Sequence, residues 1–259
     1  MEIGALKETY RVKLPQPSNQ VIPPLAMRLL ALGPSSSGKT NALVTMITDA
    51  RFYGKNVWER IYWVSPTASV DPSLDQLRDY VRNEMPQQDQ VEDPTFHDGL
   101  GDDTIQFLEE RVAKARKVME FLKARKAKQK GFNTLIVLDD LADVRARPRL
   151  QKFVDAAFVK YRHWGISIVL STQKLKLPLI SPTCRVNLTC LMCWRLRNQT
   201  DLWEGLIYEL SALISKEKLL AAYDACMQIP YNFLYVNLLA KDVDNMFYSG
   251  FTQKFVMSE

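Results

Sequence analysis

The sequence predicts an α/β fold with a mostly parallel central sheet and helices on both faces. Three observations predict it. Short runs such as Leu135–Leu138 and Ile166–Leu170 are apolar at nearly every position, as strands buried on both faces must be. Segments of helical period separate these runs, so strands and helices alternate. A glycine-rich turn joins the first apolar run to the first helix.

Residues 1–26 carry Pro15, Pro17, Pro23 and Pro24 among polar spacers and read as an extended N-terminal arm. Residues 27–259 read as one domain. MRLLALG, from Met27, is the first strand, and Leu43, Met46, Ile47 and Ala50 mark the helix after it. RIYWVS (60–65) is the second strand, closed by Pro66. A short helix is expected near 74–83, then a long irregular loop. Another helix is expected from Thr104, capped by Asp102 or Asp103 and ended by Gly131. TLIVLDD (134–140) is the third strand. Leu150, Phe153, Val154, Ala157, Phe158 and Tyr161 form one helical face, ended by Gly165. ISIVLSTQ is the fourth strand and RVNLTCLMCW the fifth. Helices follow near 200–214 and 216–227, the second capped by Ser215. YNFLYVNLL is the sixth strand, and a turn near Asp244 leads into MFYSGF.

Of the 259 residues, 47% are hydrophobic and 24% charged, which excludes wholesale disorder. No apolar run reaches the roughly 20 residues of a membrane span, and the N-terminus has no signal-like apolar core. Four cysteines imply no disulfide framework and suit a reducing compartment. The formal net charge of +5 hides two opposed blocks. Residues 71–110 hold twelve acids against Arg78 and Arg82, and residues 111–130 hold nine bases against Glu120. They read as one acidic/basic insertion, 71–130. Its basic helix either contacts DNA phosphates or pairs with the acids before it. A smaller cluster, Arg145, Arg147, Arg149 and Lys152, follows the third strand and is the first expected DNA contact.

Gly33, Pro34, Ser35, Ser36, Ser37, Gly38, Lys39 and Thr40 fit G-x-x-x-x-G-K-[ST] without mismatch, between a strand and a helix. The two glycines let consecutive backbone N–H groups aim inward, where they and the helix N-terminus hold phosphate. Lys39 reaches the β and γ phosphates of ATP, and the Thr40 hydroxyl coordinates Mg²⁺. Asp139, at a strand end, is the expected Mg²⁺ acid. Asp140 either polarises the attacking water or caps a helix. Gln173 ends the fourth strand, where ligands gather in open α/β sheets, and can sense the γ-phosphate. Cys190 and Cys193 stand three apart on a strand and so face opposite ways, which argues against zinc. Trp58, Trp63, Trp164 and Trp194 are expected in the core.

The order GPSSSGKT, LIVLDD, STQ, with Lys160-Tyr161-Arg162-His163 before the fourth strand, resembles the FtsK/HerA superfamily, most closely its viral genome-packaging ATPases. RIYWVSPT and FLYVNLL with its aromatic sequel add to the resemblance, which runs from about Met27 to Phe255. It implies a RecA-like P-loop ATPase that forms a homo-oligomeric ring, often a hexamer, and pumps double-stranded DNA into a capsid, with a capsid or portal protein as partner. It also implies residence in the host cytoplasm or nucleus, or in the virion, and neither secretion nor a membrane. Asp140 then looks like the water activator and Gln173 the sensor, although many members carry Asp-Glu where this chain has Asp-Asp. An arginine from a neighbouring subunit completes the family's site, with Arg162 the first candidate and Arg185 the second. A small-molecule phosphotransferase, of nucleoside or nucleotide kinase type, is the alternative. The second strand acid and Gln173 favour the motor.

Overall fold

The computed structural model describes residues 12–126, 130–140, 148–175 and 180–257. Its nine strands form one sheet in the order β3-β2-β4-β5-β1-β6-β7-β8-β9. The strands are β1 (Arg28–Leu32), β2 (Arg60–Ser65), β3 (Phe96–Asp98), β4 (Thr134–Leu138), β5 (Ile166–Thr172), β6 (Cys190–Cys193), β7 (Leu234–Asn237), β8 (Phe247–Ser249) and β9 (Gln253–Lys254). From β3 to β6 every pairing is parallel, and from β6 to β9 every pairing is antiparallel. The expected α/β class with a mostly parallel sheet is therefore what the chain adopts.

Alternation along the buried strands sorts side chains to two cores. In β1, Leu30 and Leu32 join one core, and Leu29 and Ala31 the other. The first core is covered by α3 (Asp102–Ala124), α4 (Pro148–Val159) and α7 (Lys216–Met227). The second lies under α1 (Lys39–Thr48) and α2 (Asp75–Glu84). Cys190 faces the second core and Cys193 the first, as their spacing required. Among the described residues no His, Cys, Asp or Glu cluster could hold a metal ion. Trp58, Trp63 and Trp194 are buried, while Trp164 is half-buried and packs beneath the Arg116 guanidinium, 5.5 Å from its ring.

Several boundaries differ from expectation, each for a local reason. The "irregular" loop contains β3, whose three residues are too few and too polar to read as an apolar run. Gly101, not Asp102 or Asp103, occupies the cap of α3, and both aspartates sit in its first turn. There they still favour the helix dipole. That helix ends at Ala124, well before Gly131, because Lys126 takes the left-handed conformation (φ 47°) that closes a helix. The expected fifth strand, 185–194, is shorter: its first two residues, Arg185 and Val186, end α5 (Pro182–Val186), and β6 begins only at Cys190. Ser181 accepts from the Cys184 N–H, and Pro182 starts the turn, a strong helix-start signal. The helix near 200–214 is a π-helical stretch, Asp201–Ile207, running into α6 (Tyr208–Leu210). Ser215 caps α7 as expected.

The described part of the arm, residues 12–26, docks on its own domain. Gln16 exchanges two hydrogen bonds with the Leu25 backbone, at 2.9 and 2.7 Å. Asn133 donates to the Pro15 carbonyl, Tyr235 donates to Val21, and Ile22 is buried.

Phe158, on the buried face of α4, anchors the first core. Phe158→Ala is expected to lower unfolding free energy by about 3–5 kcal/mol in chemical denaturation. Val118→Ala, on the exposed side of α3, should change it by less than about 0.5 kcal/mol.

Candidate active site

Strand order creates the site. β5 lies between β4 and β1, and all three run parallel, so their carboxyl ends meet on one edge of the sheet. The phosphate loop follows β1, Asp139 follows β4 and Gln173 follows β5.

The loop's geometry depends on its glycines. A Cβ on Gly33 would lie 2.7 Å from the Trp194 Cβ, so the loop can run this close to β6 only without a side chain there. Gly33 N–H also donates to the Thr172 carbonyl at 3.0 Å, tying the loop to β5. Gly38 takes φ 95° and opens α1, a conformation that a side chain strains. Ser36 is left-handed as well, at φ 62°. The Ser37 hydroxyl is buried without a hydrogen-bond partner among the described residues. A free donor inside a glycine-rich loop at a helix N-terminus fits an anion such as phosphate.

Lys39 arches over the loop and donates to the Gly33 and Pro34 carbonyls at 2.9 and 2.8 Å. Burial lowers its pKa, while Asp139 and Asp140 oppose the shift and favour the ammonium. The Thr40 hydroxyl donates to Asp139 Oδ2 at 3.1 Å, across 99 residues of sequence. Asp139 Oδ1 accepts from the Asp140 N–H at 2.9 Å. Burial raises the Asp139 pKa, and Ser171, the Asp140 N–H, Thr40 and Lys39 only partly counter it. Ser171 acts by proximity, since its hydroxyl makes no hydrogen bond of standard geometry. A buried carboxylate with a threonine hydroxyl beside it is a hard-oxygen donor pair that suits Mg²⁺. When bound there, Mg²⁺ would offset the charge of phosphate oxygens.

Asp140 is exposed and left-handed, at φ 53°. Aspartate tolerates this conformation better than most residues, and such outliers gather at functional sites. The residues after it, 141–147, lie outside the described residues, and with them Arg145 and Arg147. Gln173 donates from Nε2 to Ser35 Oγ at 3.2 Å, so the strand-four glutamine does touch the phosphate loop.

The two candidate arginines stand elsewhere. Arg162 lies in the 3₁₀ turn Tyr161–Trp164, just before β5, at the amino edge of the sheet. Arg185, in α5 before β6, is on that same edge and pairs with Glu209 at 2.6 Å. Neither belongs to this chain's own phosphate site. Residues that sequence reasoning missed lie on the site's far wall. A cavity of about 820 Å³ continues from Lys39 and Thr40 to Arg51, Tyr231, Phe233 and Phe251. Arg51 follows α1, and the antiparallel strands bring the three aromatic residues: the turn before β7 and the hairpin after β8 both end on the phosphate-loop edge. The aromatic residues flanking FLYVNLL were the available signal.

A family profile described as Poxvirus A32 protein matches residues 100–248, more than half of the chain. The chain belongs to the Poxvirus A32 protein family. The resemblance to viral packaging ATPases read from the motifs is thereby borne out. The match spans Asp139, Asp140, Arg162 and Gln173 and begins after the phosphate loop. Among solved structures, the pCW3 conjugation coupling protein TcpA, in a monomer form with ATPγS, gives a TM-score of 0.54 at 14% identity, over 88% of this chain and 60% of TcpA. ATPases 2 and 3 of EssC from Geobacillus thermodenitrificans give 0.55 at 13% identity, over 97% of this chain and 48% of that one. This chain thus spans about half to three-fifths of those two proteins, and the likeness shows a shared fold. The genome packaging NTPase B204 of Sulfolobus turreted icosahedral virus 2, in complex with ATPγS, aligns over 81% of this chain and 91% of B204 at 17% identity. Its TM-score of 0.43 is too low to carry a structural argument. No curated protein matches significantly.

Lys39→Ala is expected to reduce hydrolysis to background, with an unchanged circular dichroism spectrum. Asp139→Asn should also lose hydrolysis yet melt at a higher temperature at pH 7 without nucleotide. The sign follows from burial. A carboxyl whose folded pKa is raised costs stability above that pKa, and the cost disappears as pH falls through it. Thermal melts of wild type and variant should therefore converge toward acid pH.

Proposed function

We propose that this chain hydrolyses ATP with Mg²⁺ and uses the energy to move double-stranded DNA into a capsid, acting as a homo-oligomeric ring. One observation carries the reading: Thr40 of the phosphate loop meets Asp139 of β4 at 3.1 Å, with Gln173 of β5 reaching the same loop. Lys39 binds and orients the β and γ phosphates. Thr40 and Asp139 hold the metal ion. Asp140, exposed at the rim, is placed to accept a proton from the attacking water, and Gln173 to orient the γ-phosphate. A motor needs this hydrolytic pair, whereas a kinase needs a pocket for its acceptor.

The opposite placement of Arg162 supports a role in trans. Parallel strands put the phosphate loop on one edge of the sheet and Arg162 on the other. In a head-to-tail ring, the amino edge of one subunit can face the carboxyl edge of the next.

DNA contact is assigned to α3. Arg111 alone of its bases pairs with an acid of the 71–110 segment among the described residues, meeting Asp93 at 2.6 Å. Lys114, Lys117, Lys123 and Lys126 make no ion pair among those residues, so the acidic and basic blocks mostly do not cancel. In the smaller cluster Arg149 makes an exposed ion pair with Glu109 at 2.6 Å, and Arg145 and Arg147 lie outside the described residues. Among the described residues, no helix is long and apolar enough to cross a membrane.

ATP turnover is expected to rise when double-stranded DNA is added. Phosphate release that ignores DNA but rises with a nucleoside acceptor would establish the kinase instead. Arg162→Ala should abolish turnover while sparing ATP binding. Mixing it with Lys39→Ala should restore part of the activity, because each subunit supplies what the other lacks. Full activity in Arg162→Ala alone would exclude it as the trans arginine. Changing Lys117 and Lys123 to Gln should weaken DNA stimulation and flatten its salt dependence.

A further inference from the structure

Among the described residues, none of the hydrogen bonds of Lys39, Thr40 and Asp139 reaches the aromatic wall beside the phosphate loop. Tyr231 is its most unusual member. It follows Pro230 in a turn closed by the Asn232 N–H on the Ile229 carbonyl, and its φ is 60°. That position of a proline-led turn ordinarily takes glycine or asparagine. A bulky aromatic residue there is an outlier, and such strain persists where function uses it. Nothing in packing accounts for the choice, because Tyr231 is 76% exposed.

The turn is nevertheless held in place. The Trp194 indole N–H donates to the Tyr231 carbonyl at 3.0 Å. Gly38 lies directly beneath, close enough that a Cβ on it would stand 3.6 Å from the Tyr231 Cβ. Behind the turn, Phe233 and Phe251 pack with ring centroids 5.0 Å apart, and Phe251 lies 4.8 Å from Phe52. A supported, solvent-facing ring thus borders the cavity that starts at Lys39.

We propose that Tyr231 is the platform on which the base of the bound nucleotide stacks, and that it makes the site favour purines over pyrimidines. This rests on the reading of the phosphate loop given above. The physical basis is the larger π face of a purine, which gains more dispersion contact on an aromatic ring than a pyrimidine does. Selection by ring face also leaves the phosphate chemistry untouched, so Tyr231 sets affinity and not the rate of the chemical step.

The test measures binding of ATP, GTP, CTP, UTP and inorganic tripolyphosphate by calorimetry to wild type, Tyr231→Ala and Tyr231→Phe. Wild type should bind the two purine nucleotides about threefold more tightly than the pyrimidine ones, since every base stacks and bases differ only modestly in stacking strength. Tyr231→Ala should lose that preference and bind ATP about tenfold more weakly, with tripolyphosphate unchanged. Tyr231→Phe should restore both. In steady state, Tyr231→Ala should raise the KM for ATP and leave kcat within about twofold. Purine preference retained in Tyr231→Ala overturns the proposal. So does an equal loss of tripolyphosphate binding, which would mean that the turn acts by bracing Gly38. Wild type that binds neither tripolyphosphate nor any nucleotide would instead overturn the phosphate-loop reading, and this proposal with it.

Discussion

The contact between the Thr40 hydroxyl and the buried Asp139 carboxylate is the constraint on which this structure depends. It joins the end of β1 to the end of β4, and these strands are not neighbours. β5 must lie between them, parallel to both, for the two side chains to reach each other. That strand order requires helical crossovers on both faces, which in turn requires strands apolar on both sides. The continuous runs TLIVL and ISIVLST are thus a consequence of where two polar side chains must meet. The carboxylate is costly to bury, as its raised pKa shows, and its neighbours only partly compensate.

The remaining strands extend the same edge. β6 lies against β1, and its Trp194 sets both the approach of Gly33 and the position of Tyr231. Beyond β6 the sheet turns antiparallel: a helical connection through α6 and α7 leads back to the same edge at Tyr231, and the short connections β7–β8 and β8–β9 return Phe251 to it. Parallel strands therefore position the phosphate chemistry, and antiparallel strands build the wall beside it. The opposite edge of the sheet carries Arg162, so the phosphate loop and this basic group stand at opposite edges of the chain.

Much of this was legible in the sequence because it depends on local pattern. GPSSSGKT specifies its own backbone, and an acid ending an apolar run marks a strand's carboxyl end. Gln173 was legible for the same reason, and it lies on the loop. What escaped reading depends on distant partners. β3 is recognisable only by its pairing with β2, since Phe-His-Asp has no strand pattern of its own. The π-helical stretch keeps the apolar spacing of an ordinary helix. The charge blocks left mutual pairing open, and among the described residues of the basic block only Arg111 pairs with the acidic block, at Asp93. Tyr231 read as the first residue of the sixth strand, and its left-handed backbone and its place beside Gly38 appear only in three dimensions.

The central claim is that Thr40 and Asp139 together hold the metal of a bound nucleotide. Electron paramagnetic resonance of Mn²⁺, used in place of Mg²⁺ with a non-hydrolysable ATP analogue, tests it most directly. Nucleotide-dependent Mn²⁺ binding in wild type, lost in both Thr40→Val and Asp139→Asn while the analogue still binds, is the predicted result. Mn²⁺ bound as tightly by Asp139→Asn as by wild type would contradict it.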